Sequence, residues 1–298
     1  MTSQPLREPR FETVTIEGRT VRTALWRTDL PGKAGKDRPR PLLFFNGIGA
    51  NIELMAPLAD WMPDRDVLTF DFPGIGGSPP PNFPYRPWMM ARVAAGLLDY
   101  HGLEVADVMG VSWGGCMAQQ FAVQYPKRTG RLVLAATSAG MLMVPGSPEA
   151  IMKMASPRRY MDPDYMLANF RTLYGGETDG SDGHASRLVA PSIAGYMNQL
   201  VCMAGWTSAW FLPFLKAKTL VMMGDADQIV PVANGHILKS LLPDATLSIV
   251  KGGGHLFLVS RAGDVIPEIR HFYDRGEAWH GKAEAASAAA ARPRRKAA

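Results

Sequence analysis

Residues 110–115 read GVSWGG, a serine held between glycines. Such a serine either sits in a plain tight turn or is a nucleophile lifted clear of the strand that precedes it. A hydroxyl is a weak nucleophile alone. It needs a base to take its proton and a carboxylate to orient that base. Six histidines are available as the base. His101 falls at a helix end, His236 and His271 within helices, His184 in a long irregular segment and His280 beside the C-terminal tail. Only His255, in KGGGHLFL, stands on a glycine loop just past an apolar run. Ligand-facing residues of open parallel sheets collect at such places. For the acid, MMGDADQIVP offers Asp225 and Asp227, with Asp227 preferred. Asp225 abuts the strand and is placed to cap or brace the turn, whereas Asp227 projects further into the loop. The other candidate position, TSAGML after RLVLAA, holds no carboxylate. The resulting chain order is Ser112, Asp227, His255.

Ester or amide chemistry at such a serine also needs preorganised donors for a developing oxyanion. The N–H of Trp113, which follows the serine and opens a helix, is one. The loop NGIGAN offers the other, with Ile48 N–H the best placed and Gly47 and Gly49 letting the backbone turn. Asn46 either braces that loop or serves as a turn residue. Gly110 and Gly114 leave room for strand and helix to close around Ser112, and Gly115 helps the same packing.

The elements that must position these residues are legible. FETVTIEGRTVRTALWR reads as a hairpin turning at Glu17–Gly18, followed by a Pro/Gly/Lys-rich loop. Short apolar runs then recur at 41–45, 66–70, 106–111, 131–136, 219–223 and 246–250, the signature of strands buried on both faces. Amphipathic stretches fill the gaps from Asn51 to Met62, Pro87 to Tyr100, Trp113 to Tyr125, Val232 to Leu242 and about Leu256 to Tyr273. Alternation of this kind predicts βαβ units. GVSWGG therefore lies between a strand and a helix, the setting of a nucleophile elbow. DFPGIGGSPPP, after the run at 66–70, reads as a tight βα connection without a catalytic role.

One interval breaks the rhythm. Between Gly140 and Lys216 the chain is rich in Met, Tyr, Trp, Pro and Gly. A segment that long predicts a mostly helical insertion rather than a structureless loop. It is expected over one edge of the sheet, as a lid at 141–215. The core would then comprise 1–140 and 216–280, with a disordered Ala/Arg-rich tail at 281–298. Met141, Met143, Met152, Met154, Met161, Met166, Trp206 and Trp210 either line a greasy channel or form the insertion's own core.

The bulk properties of the 298 residues narrow the class. Hydrophobic residues make up 47% and charged residues 20%, a globular balance, and no apolar run is long enough to span a bilayer. The first residues lack the apolar core of a secretory signal. Cys116 and Cys202 alone give no disulfide framework, which fits a reducing, cytoplasmic setting with both thiols buried. Most of the net charge of +5 sits in the tail, where Lys282, Arg292, Arg294, Arg295 and Lys296 face only Glu284. The basicity thus marks a terminus rather than a groove, and nucleic acid is not an expected partner. No phosphate-binding loop, dinucleotide fingerprint or metal-ligand spacing occurs, so neither cofactor nor metal is expected.

Taken together, these residues resemble an α/β-hydrolase, with a mostly parallel twisted sheet, helices on both faces and a helical lid. The stretches FNGIGAN, DFPGIGGS, GVSWGGCMAQQFA, RLVLAATSAG, ASPRRY, GWTS and GHLFL are more specifically similar to intracellular poly(3-hydroxyalkanoate) depolymerases acting on medium-chain-length polymers. The resemblance runs from about Pro41 to Arg270. It implies Ser112 as nucleophile, Asp227 as acid, His255 as base, and a hydrophobic polyester substrate at a granule surface. Asn46 stands where many such enzymes have His. Competing readings are a small-ester or carbon–carbon bond hydrolase on the same fold, or a ligand-binding protein that kept the scaffold. Dehalogenase and epoxide hydrolase chemistry is disfavoured, since those relatives place a carboxylate where Ser112 stands.

Overall fold

Strands β1 (Arg10–Ile16) and β2 (Arg19–Trp26) are joined by Glu17 at φ 52° and Gly18 at φ 70°. Two successive positive φ angles make the hairpin turn whose twist matches its strands, and Val14 faces Val21 across it. The computed structural model describes residues 7–156, 162–176, 183 and 186–277. Met161, His184, His280, the tail at 281–298 and the ASPRRY stretch beyond Ser156 lie outside the described residues.

The six apolar runs form β3 (Leu42–Phe45), β4 (Val67–Phe70), β5 (Ala106–Val111), β6 (Thr129–Ala135), β7 (Thr219–Gly224) and β8 (Ala245–Val250). The sheet order is β1-β2-β4-β3-β5-β6-β7-β8. The hairpin joins through an antiparallel β2–β4 pair, and the remaining pairs are parallel. All residues of β3, β4, β5 and β7 are buried, as a sheet covered on both faces requires.

Between and after the strands come α1 (Ala56–Trp61), α2 (Pro87–Tyr100), α3 (Trp113–Gln124), α4 (Pro148–Ala155), α5 (Pro163–Ala168), α6 (Phe170–Tyr174), α7 (Ile193–Met203), α8 (Ala233–Leu241), α9 (Phe257–Ser260) and α10 (Ala262–Arg275). Alternate strand residues feed two cores. Leu43 and Phe45 pack with Val93 and Leu97 of α2, Phe121 of α3 and Leu238 of α8. Leu42 and Phe44 pack with Leu58 of α1 and Ile269 of α10.

Two expected helices are broken. The first, expected from Asn51, starts as a 3₁₀ turn over Ile52–Met55 and becomes α1 at Ala56, where Pro57 supplies no N–H to continue the preceding turn. The last divides at Arg261, with φ −122° and ψ 27°, while Pro267 is accommodated inside α10.

The described residues of the insertion carrying α4–α7 cross the carboxyl ends of the strands rather than one sheet edge, touching the loops that follow them. Asn51, after β3, donates to Arg187 O at 3.0 Å and accepts from Val189 N–H at 3.1 Å. Gly74 O, after β4, accepts from Ser192 Oγ at 2.9 Å. Gly195 lies so close against Gly74 that a Cβ on either would strike the other's backbone. Beyond α7, Trp206 donates to Gln120 of α3 at 3.0 Å, and Ser208 to Gln119 at 2.6 Å.

The opposite end of the sheet carries a charged cluster. Arg65, fully buried, reaches Asp107 of β5 at 3.2 Å and Asp274 of α10 at 2.9 Å. Its guanidinium lies 5.1 Å from the centre of the Tyr273 ring, whose hydroxyl donates to Val108 O at 2.9 Å.

Candidate active site

Ser112 lies between β5 and α3, capping the helix start, with φ 55° and ψ −123°. This conformation costs a non-glycine residue roughly 1–3 kcal/mol and persists only where the surroundings over-determine it. Here they do. Ser112 N–H donates to Ala135 O at 2.9 Å, and its carbonyl accepts from Thr137 Oγ1 at 2.7 Å and Gly115 N–H at 2.9 Å. The packing explains the neighbouring glycines. A Cβ on Gly110 would collide with Gly114 O, and one on Gly114 with the Phe45 and Asn46 carbonyls. Gly115 is similarly pressed on Thr137.

The structure brings Ser112, His255 and Asp227 into one hydrogen-bonded line. Ser112 Oγ lies 2.9 Å from His255 Nε2, and His255 Nδ1 lies 2.8 Å from Asp227 Oδ2. An ionised carboxylate only accepts, so the imidazole proton belongs on Nδ1 and Nε2 faces the hydroxyl as acceptor. The second oxygen of Asp227 accepts from Ile229 N–H at 2.8 Å and Val230 N–H at 2.9 Å, and the carboxylate is sealed from solvent. Asp225 is elsewhere, taking Gly252 N–H at 2.7 Å across the turn. The insertion also reaches His255: its backbone N–H donates to Tyr174 O at 2.5 Å, and the Tyr174 ring lies parallel to the imidazole with centres 6.4 Å apart.

The loop after β3 reaches the same place. Asn46 Nδ2 donates to Asn51 O at 2.8 Å, and its Oδ1 accepts from Gly47 N–H at 2.9 Å. Gly49 turns the chain at φ 69° and donates to Gln199 Oε1 at 2.7 Å. Gly47 needs no such freedom, since a Cβ there would meet Ser112 Cβ at an ordinary 3.8 Å. The N–H groups on both sides of Ile48 are thus engaged within the protein. Trp113 is the first residue of α3, where N–H groups have no intrahelical acceptor.

A family model described as the alpha/beta hydrolase fold matches residues 40–173. The chain is 43% identical over 267 residues to the poly(3-hydroxyalkanoate) depolymerase of Ectopseudomonas oleovorans, covering 88% of this chain and 92% of that one. This protein belongs to the α/β-hydrolase family. The α/β hydrolase is also 28% identical over 183 residues to the 2-hydroxy-6-oxo-6-phenylhexa-2,4-dienoate hydrolase of Burkholderia cepacia, covering 55% of this chain and 61% of that one. The fold matches an esterase from Exiguobacterium antarcticum at a TM-score of 0.74 and 16% identity, covering 88% of this chain and 98% of that one.

A cavity of about 60 Å³ opens beside His255 in this α/β hydrolase, lined by Asn46, Met55, Trp61, Val111 and Leu256 among others. A larger space of about 680 Å³ is bordered by Ser147, Arg171, Gly176 and Gln228 and includes neither Ser112 nor His255. Cys116 and Cys202 are buried, which pushes both thiols up to about 12 and leaves them unreactive at neutral pH. Among the described residues no helix is long and apolar enough to cross a membrane. The insertion's aromatic and Met residues divide: Trp206 is buried, while Met141, Met152 and Trp210 are largely exposed.

Sequence reasoning missed Tyr174, Thr137, Asn51 and Gln199. Asn51 and Thr137 lie within the stretches NGIGAN and TSAGML but were given no role there. Tyr174 and Gln199 carry no local signature and reach the site from the insertion.

Proposed function

We propose that this α/β hydrolase is an ester hydrolase that cleaves intracellular poly(3-hydroxyalkanoate). The observation that carries the reading is the line from Ser112 Oγ through His255 to Asp227, in a chain 43% identical to a poly(3-hydroxyalkanoate) depolymerase. Ser112 Oγ attacks the ester carbonyl carbon as His255 Nε2 takes its proton, and Asp227 stabilises the imidazolium through Nδ1–H. The carbonyl oxygen becomes an oxyanion, held by the N–H groups of Ile48 and Trp113. His255 then returns the proton to the leaving alkoxide oxygen as the C–O bond breaks, leaving a 3-hydroxyacyl group on Ser112. Water, deprotonated by His255, attacks that acyl carbonyl; the bond to Ser112 Oγ then breaks as His255 returns the proton to the oxygen, and a 3-hydroxy fatty acid or a short oligomer leaves. Asn46, Gly47 and Gly49 shape the oxyanion loop, and Gly110 and Gly114 the serine turn.

The segment 141–215 acts in this reading as a lid over a core of 1–140 and 216–280, in an enzyme working in the cytoplasm at granule surfaces. Its exposed Met141, Met152 and Trp210 suit an apolar polymer. The deciding experiment offers amorphous granules with C4 or C8 repeat units beside a dissolved ester, with products sized by mass spectrometry. Release of 3-hydroxyoctanoate or its oligomers is expected. Brisk cleavage of dissolved ester with intact granules of both kinds rejects the polyester and leaves a small-ester hydrolase.

A further inference from the structure

Gln199 stands on α7, in the insertion, yet it is fully buried. Its Oε1 accepts from Gly49 N–H at 2.7 Å, on the loop that carries Ile48. Its backbone carbonyl accepts from the indole N–H of Trp113 at 3.1 Å. One residue of the insertion therefore grips both peptide segments that frame the space above Ser112. The orientation of its amide is determined, because turning it over would set NH₂ against the Gly49 N–H. The Nε2 group is left without a hydrogen-bond partner among the described residues. A buried donor left unmade costs roughly 1–3 kcal/mol. An apolar side chain of this length would remove that orphan but leave the Gly49 N–H without its acceptor, so what the amide secures is the placement of the Gly49 loop.

We propose that Gln199 is a positioning residue that couples the insertion to the oxyanion hole. It holds Gly49, and through it Ile48, in register with Trp113, so that the two donors converge only while α7 is seated. Stabilisation of the transition state, rather than of the bound ester, is what the contact secures. The inference rests on the assignment of Ile48 and Trp113 as oxyanion donors, but not on the identity of the natural ester.

The test uses the full chain and p-nitrophenyl octanoate, with active sites counted by a fluorophosphonate that labels Ser112. Gln199→Met keeps the length and removes the acceptor. It is expected to lower kcat per active site about 10- to 100-fold, less than full loss of an oxyanion donor, with KM changed less than threefold. Affinity for octylboronic acid, whose tetrahedral adduct places an oxygen in the same hole, should fall by a similar factor. Trp113→Phe breaks the other contact and should lower kcat in the same direction, with the double variant less than additive. A purely structural role predicts fewer active sites and a lower Tm with kcat per site intact, and that result overturns the proposal. Additive losses, or boronate affinity unchanged while kcat falls, overturn it as well. If Gln199→Met does not fold, Trp113→Phe still tests the coupling: kcat per site and boronate affinity should fall together, and wild-type values for both overturn it. A wild type that cleaves this ester but spares granules removes the polyester alone. A wild type inert to ester and phosphonate removes the hydrolase reading itself.

Discussion

Two aspartates with a single residue between them have unlike surroundings. Asp227 touches the imidazole and takes two further backbone donors, while Asp225 closes a turn on Gly252. The difference fixes an expected ranking. Asp227→Asn places a group on Nδ1 that can no longer stabilise imidazolium, and kcat for a dissolved ester should fall about 10³- to 10⁴-fold. Asp225→Asn keeps an acceptor for Gly252 and should cost less than tenfold. Steady-state rates for the two variants check it, and the reverse ranking would move the acid to Asp225. Asp71 makes a second prediction at this scale. Burial pushes its carboxyl from 3.8 up to about 6, against the pull of the Gly77 and Ile52 N–H groups and Arg22. The folded chain thus keeps a proton that the unfolded chain loses near pH 4. Stability from this group is complete below that pH and is lost as pH rises through about 6, by about 3 kcal/mol. Denaturant unfolding at pH 4 and pH 7 should show the wild type losing this much relative to Asp71→Asn. Parallel pH profiles would reject the assignment.

At the scale of elements, the seat of α7 depends on a contact that only glycines permit. A Cβ on Gly195 would run into the Gly74 carbonyl, so Gly195→Ala must lift the start of the helix off the loop after β4. The core does not include this contact. Limited proteolysis should therefore cut the insertion of the variant faster while its global Tm moves by only a few degrees; unchanged cleavage would show that the seat does not matter. The same region marks the boundary of what the sequence disclosed. Strands β3–β8 and the elbow at Ser112 were readable because buried parallel strands leave unbroken apolar runs, and helices of two or more turns leave a period. Their breaks at Pro57 and Arg261 were not read, since local backbone chemistry changes the path without altering the apolar pattern. Ser112, His255 and Asp227 could be ordered by the strands they follow. Gln199 and Tyr174 could not, because their contacts join segments far apart in the chain and follow no local spacing.

Across the whole molecule, the line from Ser112 to Asp227 lies at the carboxyl end of the sheet and the Arg65 cluster at the other. Arg65 satisfies Asp107, which burial pushes up from the usual carboxylate range, together with Asp274. Among the described residues, Arg65→Met leaves Asp107 with Arg40, 3.8 Å away, and the Arg131 N–H. A loss of about 3–5 kcal/mol is expected, measured by denaturant unfolding, with kcat per folded molecule unchanged. A fall in kcat to match would mean the two ends communicate. Strand β5 spans the gap, with Asp107 near its start and Ser112 just past its end, about 17 Å of extended chain. Substitutions so far apart combine almost independently. For anyone adapting this protein, durability and catalytic rate are two separate dials set on opposite ends of one strand.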